Sequence, residues 1–175
     1  NRKGEMMMYL ADAVKLKSIL RKQLDQLIEE MERVAFIDLE KGEALPTQQG
    51  RTITDVEAAM DIVRYDMRVL DRLVYAANLN TVIATDEGDM PLVEAIEWAT
   101  QLRAKAQNYQ MLASRPKREF QYGFEGTTVI RHALFDPDAY RLKAEEVERR
   151  AHKVSNAINA ANYQTTIDFD GGRYM

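Results

Sequence analysis

Ala76-Ala77-Asn78-Leu79-Asn80-Thr81-Val82-Ile83 and Ala160-Ala161-Asn162-Tyr163-Gln164-Thr165-Thr166-Ile167 share one pattern, Ala-Ala-Asn-x-x-Thr-x-Ile. A second echo lies upstream: Leu10-Ala11-Asp12-Ala13-Val14 resembles Leu92-Val93-Glu94-Ala95-Ile96 at nearly the same offset, roughly eighty residues. Recurrence at a fixed offset marks a repeated supersecondary unit. The chain therefore reads as one domain, residues 1–175, made of two pseudo-repeated halves, 6–84 and 91–167. Each half is helix, extended connection, helix and an Asn-marked end. Asn tolerates the left-handed conformation that ends helices, so Asn78 and Asn162 are the expected C-terminal caps, with Thr81 and Thr165 bonding nearby backbone.

Apolar spacing supplies the helices. From Met6 to Val34, Met6, Leu10, Ala13, Leu20, Leu24, Leu27, Met31 and Val34 alternate threes and fours, with Lys17 interrupting one slot, which predicts a long helix with a heptad seam. The Met6-Met7-Met8-Tyr9-Leu10 run is expected to open that helix. Val56, Met60, Val63, Met67, Leu70, Val74 and Ala77 repeat the spacing behind Thr52, Thr54 and Asp55, of which Thr54 is the selected N-cap. Pro91 starts a third helix, whose seam of Leu92, Ala95, Ala99, Leu102, Ala106 and Ala113 is small enough for close helix approach. Asp136-Pro137-Asp138 opens a fourth, capped by Asp136, with Tyr140, Ala144, Val147, Ala151, Val154, Ile158 and Ala161 on its inner stripe. The expected class is all-α: four long helices in two antiparallel, coiled-coil-like hairpins.

Between the third and fourth helices, Glu119 to Phe124 alternates polar with aromatic, Glu125 to Thr128 can turn, and Val129 to Phe135 can return, which predicts a short β-hairpin. The corresponding stretch from Ala35 to Arg51 contains Gly42, Pro46 and Gly50 and reads as a weaker hairpin or an ordered loop.

With this pattern in place, the chain resembles the septicolysin-like family of small bacterial proteins. The resemblance rests on Leu10 to Val14, on Asn78 and Thr81 after the second helix, and on Asp136 ahead of a long helix ending in Asn162-Tyr163. It covers most of the chain, and its motifs are turns and caps rather than catalytic groups; Tyr163 stands where the family has Trp. It implies a helical-hairpin fold with no established activity, under a label that suggests a cytolysin.

Hydrophobic residues make up 46% of the chain and charged residues 30%, a balance that fits neither disorder nor a membrane-spanning protein. The formal net charge of -4 argues against a dedicated nucleic-acid binder, which needs a dense positive face. No stretch approaches the ~20 apolar residues of a membrane helix, and a cytoplasmic location is the expectation. The absence of cysteine excludes disulfides, thiolate metal sites and a cysteine nucleophile.

Signals for chemistry are weak. Di-iron bundles need inward Glu-x-x-His pairs, which the sequence lacks; Glu148 precedes His152 by one helical turn, a spacing that more often makes a solvated contact. Asp168-Phe169-Asp170-Gly171-Gly172 imitates the start of a calcium loop without its closing Glu and reads as a loose acidic terminus. No phosphate loop or nucleophile elbow occurs, and no metal, cofactor or catalytic residue is expected. Arg103, Lys105, Arg115, Lys117 and Arg118 gather near the end of the third helix, where cations complement the helix dipole and could also touch an acidic partner or a lipid headgroup.

The leading expectation is a self-associating structural protein. Ile62, Val69, Leu73 and Ala76 form a second apolar line on the second helix, and a helix apolar on two sides usually has neighbours on both. Phe120, Tyr122 and Phe124 would offer a hairpin edge to another subunit. A membrane-active protein is the alternative, resting on an amphipathic Met6 to Val14 segment and the aromatic hairpin. An enzyme with an unrecognised pocket is the third.

Overall fold

The computed structural model describes residues 7–47 and 50–175. Its elements run β1 (Met7–Tyr9), α1 (Leu10–Ala35), α2 (Ile53–Asn80), β2 (Val82–Thr85), β3 (Gly88–Pro91), α3 (Leu92–Ala113), β4 (Arg118–Tyr122), β5 (Thr128–His132), α4 (Pro137–Gln164) and β6 (Thr166–Asp168). The fold is mostly helical, and among the described residues the strands form three antiparallel two-stranded ladders, β1–β6, β2–β3 and β4–β5. The chain divides into two compact units, Asn1–Asn80 with Asn162–Met175, and Thr81–Ala161.

In the first unit α1 packs along α2. Leu10, Ala13, Leu16, Leu20 and Leu27 of α1 are buried, as are Val56, Met60, Val63, Leu70 and Val74 of α2. The expected seam of α1 needs one correction: Leu16, not the slot of Lys17, fills the gap. A straight helix turns 3.6 residues per turn and drifts off a strict heptad, which brings Leu16 inward. Lys17 lies at the rim, its Nζ 2.6 Å from Asp71 Oδ1 of α2 and above the Tyr75 ring at 5.2 Å. The long stem covers apolar surface while the ammonium stays wet.

The start of α2 is also corrected. Thr52, not Thr54, is the cap: its Oγ1 accepts the Asp55 N–H at 3.2 Å, while Asp55 Oδ2 accepts the Thr52 N–H at 2.8 Å. This reciprocal pair is a capping box with Asp in the third helical position. The bonds from Thr52 hold the Asp55 carboxyl below its ordinary value. The stretch joining α1 to α2 has no strand among its described residues; Gln48 and Gln49 lie outside them. Arg51 ties it back to Glu30 of α1 at 2.9 Å.

Two terminal expectations fail, for one reason. Met7–Tyr9 does not extend α1 but pairs with Thr166–Asp168, register Met8 to Ile167, and both of those side chains are buried; Met6 lies outside the described residues. The segment beyond β6 is no loose terminus either. Phe169 and Gly171 are buried, Asp170 Oδ1 accepts the Gly172 N–H at 3.0 Å, the Tyr174 hydroxyl donates to Asp66 of α2, and Arg173 stands 3.6 Å from the same carboxylate. Alternating apolar residues among acidic ones suit an edge strand, and ladder bonds decide the matter.

In the second unit β2 and β3 form a hairpin that the apolar spacing did not announce. Its turn, Asp86-Glu87, is closed by Gly88 at a φ of 104°, a left-handed value that favours glycine. Thr85 Oγ1 donates to the Gly88 carbonyl at 2.6 Å. Arg150 of α4 grips this turn, Nε to Asp86 at 3.0 Å and Nη2 to Glu87 at 2.7 Å, with its guanidinium 5.4 Å from the centre of the Trp98 ring. Bonding to Glu87 raises Arg150 further above its already high value. Leu92, Ala95, Ala99, Leu102 and Ala106 of α3 are buried, with Ala144, Val147, Ala151 and Val154 of α4. Arg103 Nη1 donates to Ser155 Oγ at 3.2 Å, and the Tyr109 and Tyr140 rings meet edge to face at 5.3 Å.

The Thr-containing echoes meet the same backbone partners in the two units. The Leu92 N–H donates to the Thr81 carbonyl at 2.7 Å and the Leu10 N–H to the Thr165 carbonyl at 2.8 Å, while Ile83 pairs with Met90 and Ile167 with Met8. The carbonyls, not the hydroxyls, make these bonds. Asn78 and Asn162 sit inside the last turns of α2 and α4, and Glu125 alone among described non-glycine residues has a positive φ, so their expected role as left-handed caps is withdrawn.

Two outcomes follow from this packing. Leu16→Ala should cost about 2–5 kcal/mol in chemical denaturation, and half-buried Leu24→Ala clearly less; equal losses would restore the strict heptad. Burial first, then the bond to Asp66, pushes the Tyr174 phenol up to about 12. A raised folded value gives stability that is complete below the ordinary tyrosine range and lost as pH rises through about 12. Alkaline denaturation should therefore show a component that Tyr174→Phe removes.

Candidate functional site

The β4–β5 hairpin of the second unit gathers the most exposed apolar side chains on an ordered ladder. α3 stops at Ser114, whose N–H donates to the Gln110 carbonyl at 3.0 Å and whose hydroxyl donates to the Met111 carbonyl at 2.8 Å. Pro116 then prevents the helix from resuming. The ladder pairs Arg118 with His132, Phe120 with Ile130 and Tyr122 with Thr128. Alternation puts these six side chains on one face and Glu119, Gln121, Val129 and Arg131 on the other.

The hairpin is anchored at its base. The Ala133 N–H donates to the Lys117 carbonyl at 2.9 Å, Lys117 Nζ lies 3.8 Å from Asp136, and Phe135 meets Tyr140 at 5.1 Å. Asp136 caps α4, with Oδ1 accepting the Asp138 N–H at 3.1 Å. At the far end Gly123, Glu125 at a φ of 59° and Gly126 at 74° make the turn, closed by the Thr127 N–H donating to the Phe124 carbonyl at 3.3 Å. Gly123 is required: a Cβ there would collide with the Thr127 carbonyl oxygen and the Val129 side chain.

Base and tip are fixed, yet Phe120 and Tyr122 on the ladder are bare, as are Phe124 in the turn and Leu134 beyond β5. Phe120 is 79% exposed, Phe124 96% and Leu134 97%, and Tyr122 stands wholly in solvent. Beside the base, a cleft of about 310 Å³ is lined by Arg115, Arg131 and His132, by Leu134 and Phe135, and by one carboxylate, Glu119. A smaller groove of about 230 Å³ runs between α3 and α4, with Glu148 and His152 at its rim and Ala106 and Ala151 at its floor. Among the described residues no group of three His, Asp or Glu side chains converges as metal ligands do.

The other residues singled out by sequence lie in the first unit. Ile62 is exposed, while Val69 and Leu73 are half-buried. Phe36, Ile37 and Leu45, on the connection between α1 and α2, are exposed as well. Leu134 and the arginine-lined cleft were missed by sequence reasoning; the cleft has no linear signal, because its residues come from the helix end and from both strands.

No protein-family model and no curated protein matches the chain. A solved structure does: a functionally unknown conserved protein from Corynebacterium diphtheriae, 19% identical, covering 92% of this chain and 99% of its own, with a TM-score of 0.60. The likeness shows the fold.

Gly123→Ala should open the hairpin turn without touching the helices. We expect faster amide exchange and proteolysis between Lys117 and Ala133 with unchanged helical circular dichroism; unchanged exchange would mean that the turn has another way to relax.

Proposed function

We propose that this is a structural protein that self-associates into a homo-oligomer through the β4–β5 hairpin, and that its two halves are copies of one helical hairpin. The carrying observation is that Phe120 and Tyr122 on a ladder anchored at both ends, Phe124 in its turn and Leu134 just beyond β5 are all bare. A large apolar patch on an ordered surface marks an interaction site. Edge strands that are neither covered nor blunted by charge invite pairing with another strand.

Duplication accounts for the echoes. Thr52 stands as far ahead of Asn78 as Asp136 stands ahead of Asn162, and both cap their helices. Tyr9 and Pro91, the residues before α1 and α3, share one backbone conformation, φ -65° and ψ 144° against φ -59° and ψ 148°. A duplicated fold element explains Ala-Ala-Asn-x-x-Thr-x-Ile without a duplicated ligand site. Membership of the septicolysin-like family belongs to the same proposal, since that resemblance implies a helical-hairpin fold.

A membrane-active role has less support. Of its two candidate segments, Met6 to Val14 is taken up, in its described part from Met7 on, by β1 and the start of α1, with Met8 buried. Among the described residues no helix is long and apolar enough to cross a membrane.

Light scattering behind size exclusion, at two protein concentrations, tests the reading. A closed oligomer of constant mass is expected, and Phe120→Asp with Phe124→Asp should lower that mass while the helical signal stays. A monomer, or an oligomer indifferent to the double substitution, would overturn the hairpin's role.

A further inference from the structure

We propose that β4 pairs antiparallel with β4 of a second copy, centred on Phe120, to make a four-stranded sheet in the order β5, β4, β4, β5 across the two chains. This inference rests on the self-association reading and gives it a register.

The choice of strand follows from the edges available. All three ladders are two-stranded, so each leaves unpaired backbone on its outer edges. β1 and β6 have three residues each; β2 and β3 have four, and Asp89 and Pro91 blunt the latter. Short length, charge and proline are the usual protections against unwanted pairing. β4 and β5 have five residues each and no proline, and β4, beside Arg118 and Glu119, presents Phe120 and Tyr122 to solvent.

The register follows from what each alignment sets face to face. With the twofold axis at Phe120, Phe120 meets Phe120 of the second copy, Arg118 meets Tyr122, and Glu119 meets Gln121. The first is an aromatic pair, the second a cation over a ring, and the third a hydrogen-bonding pair. No like charges oppose each other. A shift of one residue turns the aromatic faces of the two copies to opposite sides of the sheet. A shift of two toward the N-terminus sets Glu119 against Glu119; two the other way brings Glu119 onto Gly123, where the turn begins. Pairing β5 about Ile130 instead would set Arg131 against Val129 and His132 against Thr128, with neither an aromatic pair at the axis nor a ring for the guanidinium.

The existing pairing of Phe120 with Ile130 then extends across the interface. Ile130, Phe120, Phe120 and Ile130 form one apolar row over four strands, and side chains now in solvent gain neighbours on both sides. The neighbouring row runs Thr128, Tyr122, Arg118, His132, so each tyrosine ring receives a guanidinium from the other chain.

The chain has no cysteine, so introduced thiols report without background. Directly opposed residues in an antiparallel pair have Cα atoms about 4.5–5.5 Å apart, inside the disulfide range. Phe120→Cys should therefore oxidise to a covalent dimer on a non-reducing gel, as should Arg118→Cys combined with Tyr122→Cys. Tyr122→Cys alone should remain uncrosslinked, because two such residues would be roughly 14 Å apart, four residues along the strand at ~3.4 Å per residue. If Phe120→Cys fails to crosslink in a protein that light scattering shows to be oligomeric, the register falls and self-association stands. Crosslinking of Tyr122→Cys as fast as Phe120→Cys would likewise overturn the register, as random collision. A monomeric protein overturns both.

Discussion

A helix that begins without a capping side chain leaves its first N–H groups unsatisfied, and α1 and α3 both begin that way, after Tyr9 and Pro91. In each case the carbonyl of a threonine just beyond another helix accepts the first N–H: Thr165 for Leu10, Thr81 for Leu92. Capping by carbonyl requires the two backbones to run side by side, and the β1–β6 and β2–β3 ladders are what hold them there. α2 and α4 need no such help, because Thr52 and Asp136 cap them from their own sequence. The ladders are therefore the means by which half of the helices start, and the deep burial of Leu10 and Leu92 depends on them.

That dependence makes the C-terminal segment structural. β6 supplies the partner of β1, Phe169 and Gly171 pack behind it, and Tyr174 and Arg173 fasten the last residues to Asp66. Its acidic side chains face solvent, while Ile167 and Phe169 between them are buried, so composition and location disagree. Burial of alternate side chains settles it, and the resemblance of Asp168 to Gly172 to a calcium loop is incidental to strand alternation with a turn.

What was legible in the sequence was what repeats over many residues. The four helices rest on apolar positions recurring through six or more turns, and the β4–β5 hairpin on alternation long enough to be seen. Strands of three and four residues give too few alternations to separate them from a helix start, which is why apolar spacing runs Met7–Tyr9 into α1 and does not announce β2–β3. The Ala-Ala-Asn-x-x-Thr-x-Ile echo was legible as a repeat but not as a bond: its decisive atoms are the Thr81 and Thr165 carbonyls, which every residue type possesses. Asn78 and Asn162, the conspicuous letters, lie inside the helices. At the candidate site, Phe120, Tyr122 and Phe124 stood out as aromatic residues, whereas Leu134 and the cleft of Arg115, Arg131 and His132 exist only once the hairpin closes.

The helix ends that match between the two halves are constrained, and the connections that differ are free to carry function. One connection, from Phe36 to Thr52, has no strand among its described residues; the other is a five-residue ladder with an ordered turn. Ordering that ladder has a conformational cost, since Glu125 is held at a positive φ and Gly123 is packed where no side chain fits. Within the chain little is recovered from it, because Phe120, Tyr122 and Phe124 remain in water. A connection between two helices could be made with a short polar turn at less cost. The extended aromatic form is understandable if the missing burial comes from outside the chain, which is the place the proposed pairing gives to β4 of a second copy.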